Sequence, residues 1–287
     1  MTTTNPLRKT TLSYEVFPPK TQVGEDNLFQ VLQDLKDLEA DSISVTYSTK
    51  NNNVADTTTK IAEHVQNNLC IPAIAHLPAI YLTKQDVSNI VTRLDESGIN
   101  KILALRGDRL PDMEPVNDFT YASDLVTYIK KIAPHFEITG ACYPEIHPEA
   151  ASAVDDIKNL KKKVDAGCDE LITQLFFDND IFLDFQEKCR IAGIDVPIIP
   201  GIMPITNQRQ AMRLVSMNET KLPRKFKAIL NKYEHKPEAL REAGLAYAID
   251  QIVDLVTQDV PGIHLYIMNR SETAKYIHNA TKWLFRE

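Results

Sequence analysis

Residues Leu12-Ser13-Tyr14-Glu15-Val16-Phe17-Pro18-Pro19 put one carboxylate, Glu15, inside a strand-like apolar run. Partial desolvation at such a position favours the neutral acid, which makes Glu15 a candidate proton donor near neutral pH. Proline cannot donate to a strand ladder and restrains the residue before it, so Phe17-Pro18-Pro19 ends the strand and leaves Glu15 at its carboxyl end. A structural ion pair is the competing reading of a single strand glutamate. Repetition of the design favours chemistry. Apolar segments at 42–47, 71–77, 101–107, 137–143 and 170–176 carry Thr46, His76, Arg106 (then Gly107 and Asp108), Tyr143 and Gln174 near their carboxyl ends. Two more, 196–203 and 262–268, follow, the last leading into Asn269 and Arg270. Taken singly these residues have plain structural readings: His76 as a satisfied core donor, Tyr143 as a core aromatic, Arg106 and Asp108 as a turn salt bridge.

The elements that must position these groups alternate. Helical periodicity marks 25–39, 55–67, 83–96, 121–133, 153–166, 179–192, 206–216, 238–258 and 271–284, lying between and after the strands. Strict alternation implies a parallel sheet, because each crossover returns the chain to the same end of the strands. Eight such units in 287 residues fit a single α/β (β/α)8 TIM barrel with an additional C-terminal helix, a fold of typically about 250 residues. A doubly wound sheet competes, but none of the nine glycines forms a G-x-G-x-x-G or Walker pattern. In a barrel the strand ends converge, so Glu15, Thr46, His76, Asp108, Tyr143 and Gln174 are expected in one cavity. On the fifth helix, Asp156, Asn159, Lys162 and Lys163 share one face. The run Lys161-Lys162-Lys163 reads by itself as a solvated helix surface.

Composition removes several classes. The chain is 43% hydrophobic and 25% charged, with no low-complexity stretch or linker, and is expected to form one catalytic domain over 1–287. A net charge of -7 argues against nucleic acid as a partner. The beginning lacks an apolar targeting core, and no apolar run approaches the roughly 18 residues that span a bilayer, so a cytoplasmic protein without membrane contact is expected. Cys70, Cys142, Cys168 and Cys189 lack close pairing, which predicts no metal site or disulfide framework and four small buried hydrophobes.

Nine strings then join the chain to a family. They are Tyr14-Glu15-Val16-Phe17-Pro18-Pro19, Ser44-Val45-Thr46-Tyr47, Ala104-Leu105-Arg106-Gly107-Asp108, Tyr121-Ala122-Ser123-Asp124-Leu125-Val126 and Tyr143-Pro144-Glu145-Ile146-His147-Pro148-Glu149-Ala150. The others are Lys163-Val164-Asp165-Ala166-Gly167, Ile172-Thr173-Gln174-Leu175-Phe176-Phe177-Asp178, Pro200-Gly201-Ile202-Met203-Pro204 and Asn269-Arg270. In order and separation the chain resembles the methylenetetrahydrofolate reductases, over essentially its whole length, and in length it resembles the bacterial form without a regulatory domain.

The resemblance implies a flavoprotein that passes a hydride from NADH or NADPH through FAD to 5,10-methylenetetrahydrofolate, giving 5-methyltetrahydrofolate for one-carbon metabolism and methionine synthesis. It implies a ping-pong oxidoreductase acting on CH–NH donors, assembled as a homo-oligomer. Glu15 becomes the general acid that opens the folate ring, and Asp108 a carboxylate beside flavin and pterin. Flavin contacts fall on Thr46, His76, Arg106, Gly107, Asp108, Ala141, Tyr143 and His147. The ribose, pyrophosphate and adenosine end falls on Tyr121, Ala122, Asp156, Asn159, Lys162 and Lys163, with Lys162 where some bacterial members have arginine. Folate-side positions are Gln174, Gln210 and Arg270, together with Leu214, where some relatives have phenylalanine. Two other functions share these motifs: a flavin- or pterin-binding subunit that needs a partner electron donor, and a flavin-free pterin-dependent methyltransferase barrel.

Overall fold

The computed structural model describes residues 10–19, 21–47, 54–212 and 222–285. The strands are β1 (Thr11–Val16), β2 (Ser42–Val45), β3 (Ala73–Pro78), β4 (Lys101–Leu105), β5 (Glu137–Cys142), β6 (Glu170–Thr173), β7 (Ile198–Ile199), β8 (Gly201–Ile202) and β9 (Gly262–Tyr266). The helices are α1 (Gln22–Lys36), α2 (Val54–Glu63), α3 (Lys84–Glu96), α4 (Ala122–Ile132), α5 (Ala153–Asp165), α6 (Asn179–Ile191), α7 (Arg224–Lys232), α8 (Pro237–Thr257) and α9 (Ser271–Thr281). All strand pairs are parallel, in the order β7-β6-β5-β4-β3-β2-β1-β9-β8. The two edge strands of that sheet are consecutive in the chain, with only Pro200 between them, so the sheet rolls into a nearly closed α/β barrel.

The expected strand at 196–203 is therefore split. Before Pro200 the chain pairs with β6, and after it with β9, where the His264 N–H donates to the Pro200 carbonyl at 3.0 Å. Proline has no N–H for a ladder, and the seam falls where that donor is missing.

Strand periodicity sorts the side chains. Leu12, Tyr14 and Val16 enter the hydrophobic core with Leu28, Leu32 and Leu35 of α1, while Ser13 and Glu15 turn to the barrel interior. The other strands follow: Ile263 and Leu265 of β9 join the same core, and His264 and Tyr266 face inward. A smaller cluster of Leu175, Phe177, Met203, Ile205, Phe226, Leu230 and Leu240 lies beneath α7. Sequence periodicity had not predicted α7: in Arg224–Lys232 only Phe226, Ile229 and Leu230 are strongly apolar, and they meet this satellite cluster at i, i+3, i+4 spacing. Residues 208–212 are helical, and the remainder of the helix expected over 206–216, with Leu214, lies outside the described residues. The C-terminal helix α9 packs on α1 and α8.

Three of the cysteines are buried as expected, but Cys70 is exposed, in a left-handed conformation (φ 58°) that turns the chain out of the helix into β3. Among the described residues no cluster of metal-ligating side chains occurs, and no helix is long and apolar enough to cross a membrane.

Candidate active site

Glu15 lies at the mouth of the barrel, one residue before β1 ends, with its side chain 22% exposed. Two imidazoles face it: His76 of β3, with Nε2 3.6 Å from Glu15 Oε2, and His264 of β9, with Nε2 3.8 Å from the same oxygen. His76 is buried and its Nε2 has no hydrogen-bond partner. Burial lowers its pKa to about 4, with Glu15 opposing the shift and His264 adding to it, so His76 is neutral at pH 7. On the other side of its ring, His264 Nδ1 is 2.8 Å from Ser13 Oγ. The Tyr266 ring stands edge-on to that of His264, at 5.0 Å, and its hydroxyl donates to the Thr173 carbonyl at 2.6 Å. Burial, reinforced by Glu15, raises the Tyr266 pKa well above its ordinary value and keeps the phenol protonated.

These groups belong to a cavity of 460 Å³ that also holds Thr46, Arg106, Gly107, Asp108, Tyr143 and Gln174. Gly107 carries the chain over β3 with φ 93°, where a Cβ would sit 3.0 Å from Pro78 Cβ and 3.1 Å from Ile80 Cγ2. Asp108 follows it, exposed on the rim. Arg106 does not pair with Asp108 as a turn salt bridge would require. Its guanidinium makes a two-pronged contact with Glu149, at 2.5 and 2.6 Å, which raises its pKa. That pair ties the end of β4 to the loop after β5, which brings Tyr143 and His147 together edge-on at 4.5 Å. Burial raises the Tyr143 pKa.

A second cavity of 510 Å³ shares Arg106, Ala122, Ala141, Tyr143, His147 and Lys163 with the first, so the two form one groove from the barrel mouth out to α4 and α5. Its outer part is lined by Tyr121, Asp156, Asn159 and Lys162. Helix α5 begins at Ser152, whose Oγ accepts from the Asp155 N–H at 3.2 Å. One turn in, Asp156 accepts from the His147 N–H at 3.0 Å and so fixes the loop. The three lysines of α5 separate. Lys161 pairs with Asp165, Lys162 reaches Asn159 at 3.3 Å on the cavity wall, and Lys163 turns inward and donates to the Ala141 carbonyl. Burial lowers the Lys163 pKa.

Gln210 and Arg270 do not join Glu15. They meet around Thr206, whose N–H donates to Gln210 Oε1 at 3.4 Å and whose Oγ1 accepts from Arg270 at 3.1 Å. They line a third cavity of 430 Å³ that touches the first at Met203. Leu214 lies outside the described residues. Reading only the carboxyl ends of strands missed His264 and Tyr266, although both have the inward parity of Gly262 on β9. Glu149 carried no signal of its own, being 43 residues from Arg106.

Three comparisons bear on this site. A family model described as methylenetetrahydrofolate reductase matches residues 2–282. The 5,10-methylenetetrahydrofolate reductase of Escherichia coli (strain K12) is 38% identical over 261 residues, which cover 91% of this chain and 87% of that protein. Methylenetetrahydrofolate reductase (NADH) 1 of Arabidopsis thaliana is 35% identical over 280 residues, covering 93% of this chain but 47% of the plant protein. Among solved structures, an uncharacterized protein from Clostridium thermocellum that binds two copies of 5-methyl-5,6,7,8-tetrahydrofolic acid aligns with a TM-score of 0.69 at 14% identity. The alignment covers 97% of this chain and 96% of that one, a likeness of fold.

Proposed function

Because the chain belongs to the methylenetetrahydrofolate reductase family, whose members are oxidoreductases, we propose that it reduces 5,10-methylenetetrahydrofolate to 5-methyltetrahydrofolate in two half-reactions, with FAD bound and NADH or NADPH as reductant. The product feeds one-carbon metabolism and methionine synthesis. One observation carries the reading: the cavity that holds Glu15 shares lining residues, Lys163 among them, with a second cavity that reaches Lys162 on α5.

The groove suits FAD on its chemistry. Its inner part has an orphaned buried donor or acceptor, His76 Nε2, and in the same cavity Gly107, which packs against Pro78 and Ile80 too closely for a side chain. Thr46, Arg106, Ala141, Tyr143 and His147 would flank that ring. Lys162 and Lys163 supply cations for a pyrophosphate, and Tyr121, Ala122, Asp156 and Asn159 the ribose and adenosine wall. Lys162 offers a point charge where an arginine would offer a fork, so its hold on phosphate is less directional. When bound, FAD supplies a two-electron carrier that accepts hydride from the nucleotide and gives it to the folate.

The chain's own residues supply the proton. The folate methylene group bridges two nitrogens, and protonating one of them opens the five-membered ring to an iminium that accepts hydride. Glu15 delivers that proton from its carboxyl group. Neutral His76 on one side and His264 on the other enclose the carboxyl without adding a fixed positive charge from His76. Asp108, on the rim, would accept hydrogen bonds from the pterin and would place a negative charge beside the flavin. Gln174 orients the pterin, and Arg270 with Gln210 receives the glutamate tail in the third cavity.

Anaerobic stopped-flow tests the reading. The purified protein is expected to be yellow, to bleach with NADH or NADPH, and to regain its flavin absorbance on addition of methylenetetrahydrofolate. A flavin that only a second protein can reduce would replace this reading with that of an electron-accepting subunit. A colourless protein that still binds the folate would point to methyl transfer.

A further inference from the structure

The end of β1 is held by a side chain from the far end of the chain. The β1–β9 ladder runs as far as Glu15 opposite Tyr266. Beyond it β9 leaves the barrel through a turn closed by the Arg270 N–H donating to the Ile267 carbonyl at 3.0 Å. The middle residues of that turn, Met268 and Asn269, both have left-handed backbones, with φ 54° and 53°. Two consecutive non-glycine residues in that region are strained, and such strain persists where the surroundings hold it. On the other strand Phe17 lies past the last residue of β1, where β9 has already turned away, and Pro18 and Pro19 after it have no N–H to continue a ladder.

Asn269 supplies the partner. The Phe17 N–H donates to Asn269 Oδ1 at 2.9 Å, and Asn269 Nδ2 donates to the Phe17 carbonyl at 2.8 Å. One carboxamide thus satisfies both backbone groups of a residue two places after Glu15. On the opposite flank the Thr46 N–H donates to the Val16 carbonyl at 2.9 Å. The residue after Asn269 is Arg270, tied to Thr206 in the third cavity.

We propose that Asn269 is a positioning residue for Glu15: its carboxamide carries the β1–β9 pairing on to Phe17, two residues beyond Glu15, and holds the carboxyl at its place among His76, His264 and Tyr266. The proposal rests on Glu15 as the acid of the reaction above. Hydride entry from the nucleotide needs no proton from Glu15, so only the folate half-reaction depends on the clamp.

Two variants of the full-length holoprotein test it. Asn269→Gly adopts the left-handed turn without cost and loses both side-chain bonds, which separates the clamp from the backbone strain. Asn269→Asp keeps the acceptor for the Phe17 N–H and loses the donor to its carbonyl. In the glycine variant, amide exchange at Phe17 is expected to rise at least about tenfold. The folate half-reaction is expected to slow by at least about tenfold with a displaced pH profile, while flavin reduction by the nucleotide stays within about twofold. The aspartate variant falls between. A Phe17 amide that stays protected, an unchanged folate half-reaction, or an equal loss in both half-reactions with a lowered melting temperature would each overturn the proposal. Glu15→Gln is the control for the underlying reading. If it spares the folate half-reaction, the acid role fails, and Phe17 exchange with a carbon-13 titration of the Glu15 carboxyl, neither of which needs substrate, still decides whether Asn269 holds that side chain.

Discussion

Glu15 and His76 share one small volume: the carboxyl Oε2 lies 3.6 Å from His76 Nε2, and burial keeps that imidazole neutral at pH 7. Glu15→Gln keeps the size of the side chain and removes the proton. The expected result is a folate half-reaction slowed by about 10²–10⁴ with flavin reduction by nucleotide preserved, and equal loss of both would remove the acid role. His76 also carries a stability signature. Its pKa is lowered to about 4 in the fold, so between that value and the unfolded value of about 6.5 the unfolded chain binds more protons, and stability falls as pH drops through this window. Urea titrations should show the wild type losing about 2 kcal/mol more than His76→Gln between pH 7 and pH 5. The same loss in both proteins would refute the burial account.

At the scale of elements, the seam at Pro200 does the most to shape the site. The strand changes partner there, and Gly201, the next residue, takes the Thr173 hydroxyl as acceptor for its N–H at 2.8 Å. A Cβ on Gly201 would lie 2.5 Å from the Thr173 carbonyl oxygen and 2.6 Å from the Tyr266 ring. The ring cannot retreat without breaking the hydroxyl bond to the same carbonyl. Gly201→Ala is therefore expected to cost about 1–3 kcal/mol, a drop of several degrees in melting temperature, and to disturb Tyr266 beside Glu15. An alanine variant with wild-type melting temperature and activity would show that the seam has slack. The Arg106–Glu149 pair works differently. Its arms are only partly buried, and such pairs contribute little to stability, so its use lies in holding the loop of Tyr143 and His147 across the groove.

The whole molecule has a charge of -7, but the groove places Lys163 where its two cavities meet and Lys162 on its outer wall. On the proposed reading the pyrophosphate of FAD lies against these lysines, and its retention should weaken as salt screens that local attraction. Lys162 is exposed and Lys163 is inward, so screening acts mainly on Lys162. Released flavin, read by fluorescence after dilution into low and into about 0.5 M salt, should increase with ionic strength in the wild type and respond less in Lys162→Gln. A salt response identical in the two would place the phosphate elsewhere.

Some of this was legible in the residues themselves. Alternating strand and helix periodicities are local properties, and they determined a parallel barrel, the strand-end locations of Glu15, Thr46, His76 and Tyr143, and the shared face of Asp156, Asn159, Lys162 and Lys163. Proline and glycine marked where the strands stop. The tertiary structure alone decided who meets whom. His264 stands 251 residues from Ser13, Asn269 stands 252 from Phe17, and Arg106 pairs with Glu149 where a sequence reading pairs it with its neighbour Asp108. It also moved Gln210 and Arg270 into a cavity of their own and split one strand between two partners. The physical reason is that periodicity reports the face on which a side chain lies, whereas a contact across the barrel depends on strand register and closure, which bring together residues whose separation in the chain carries no local signal.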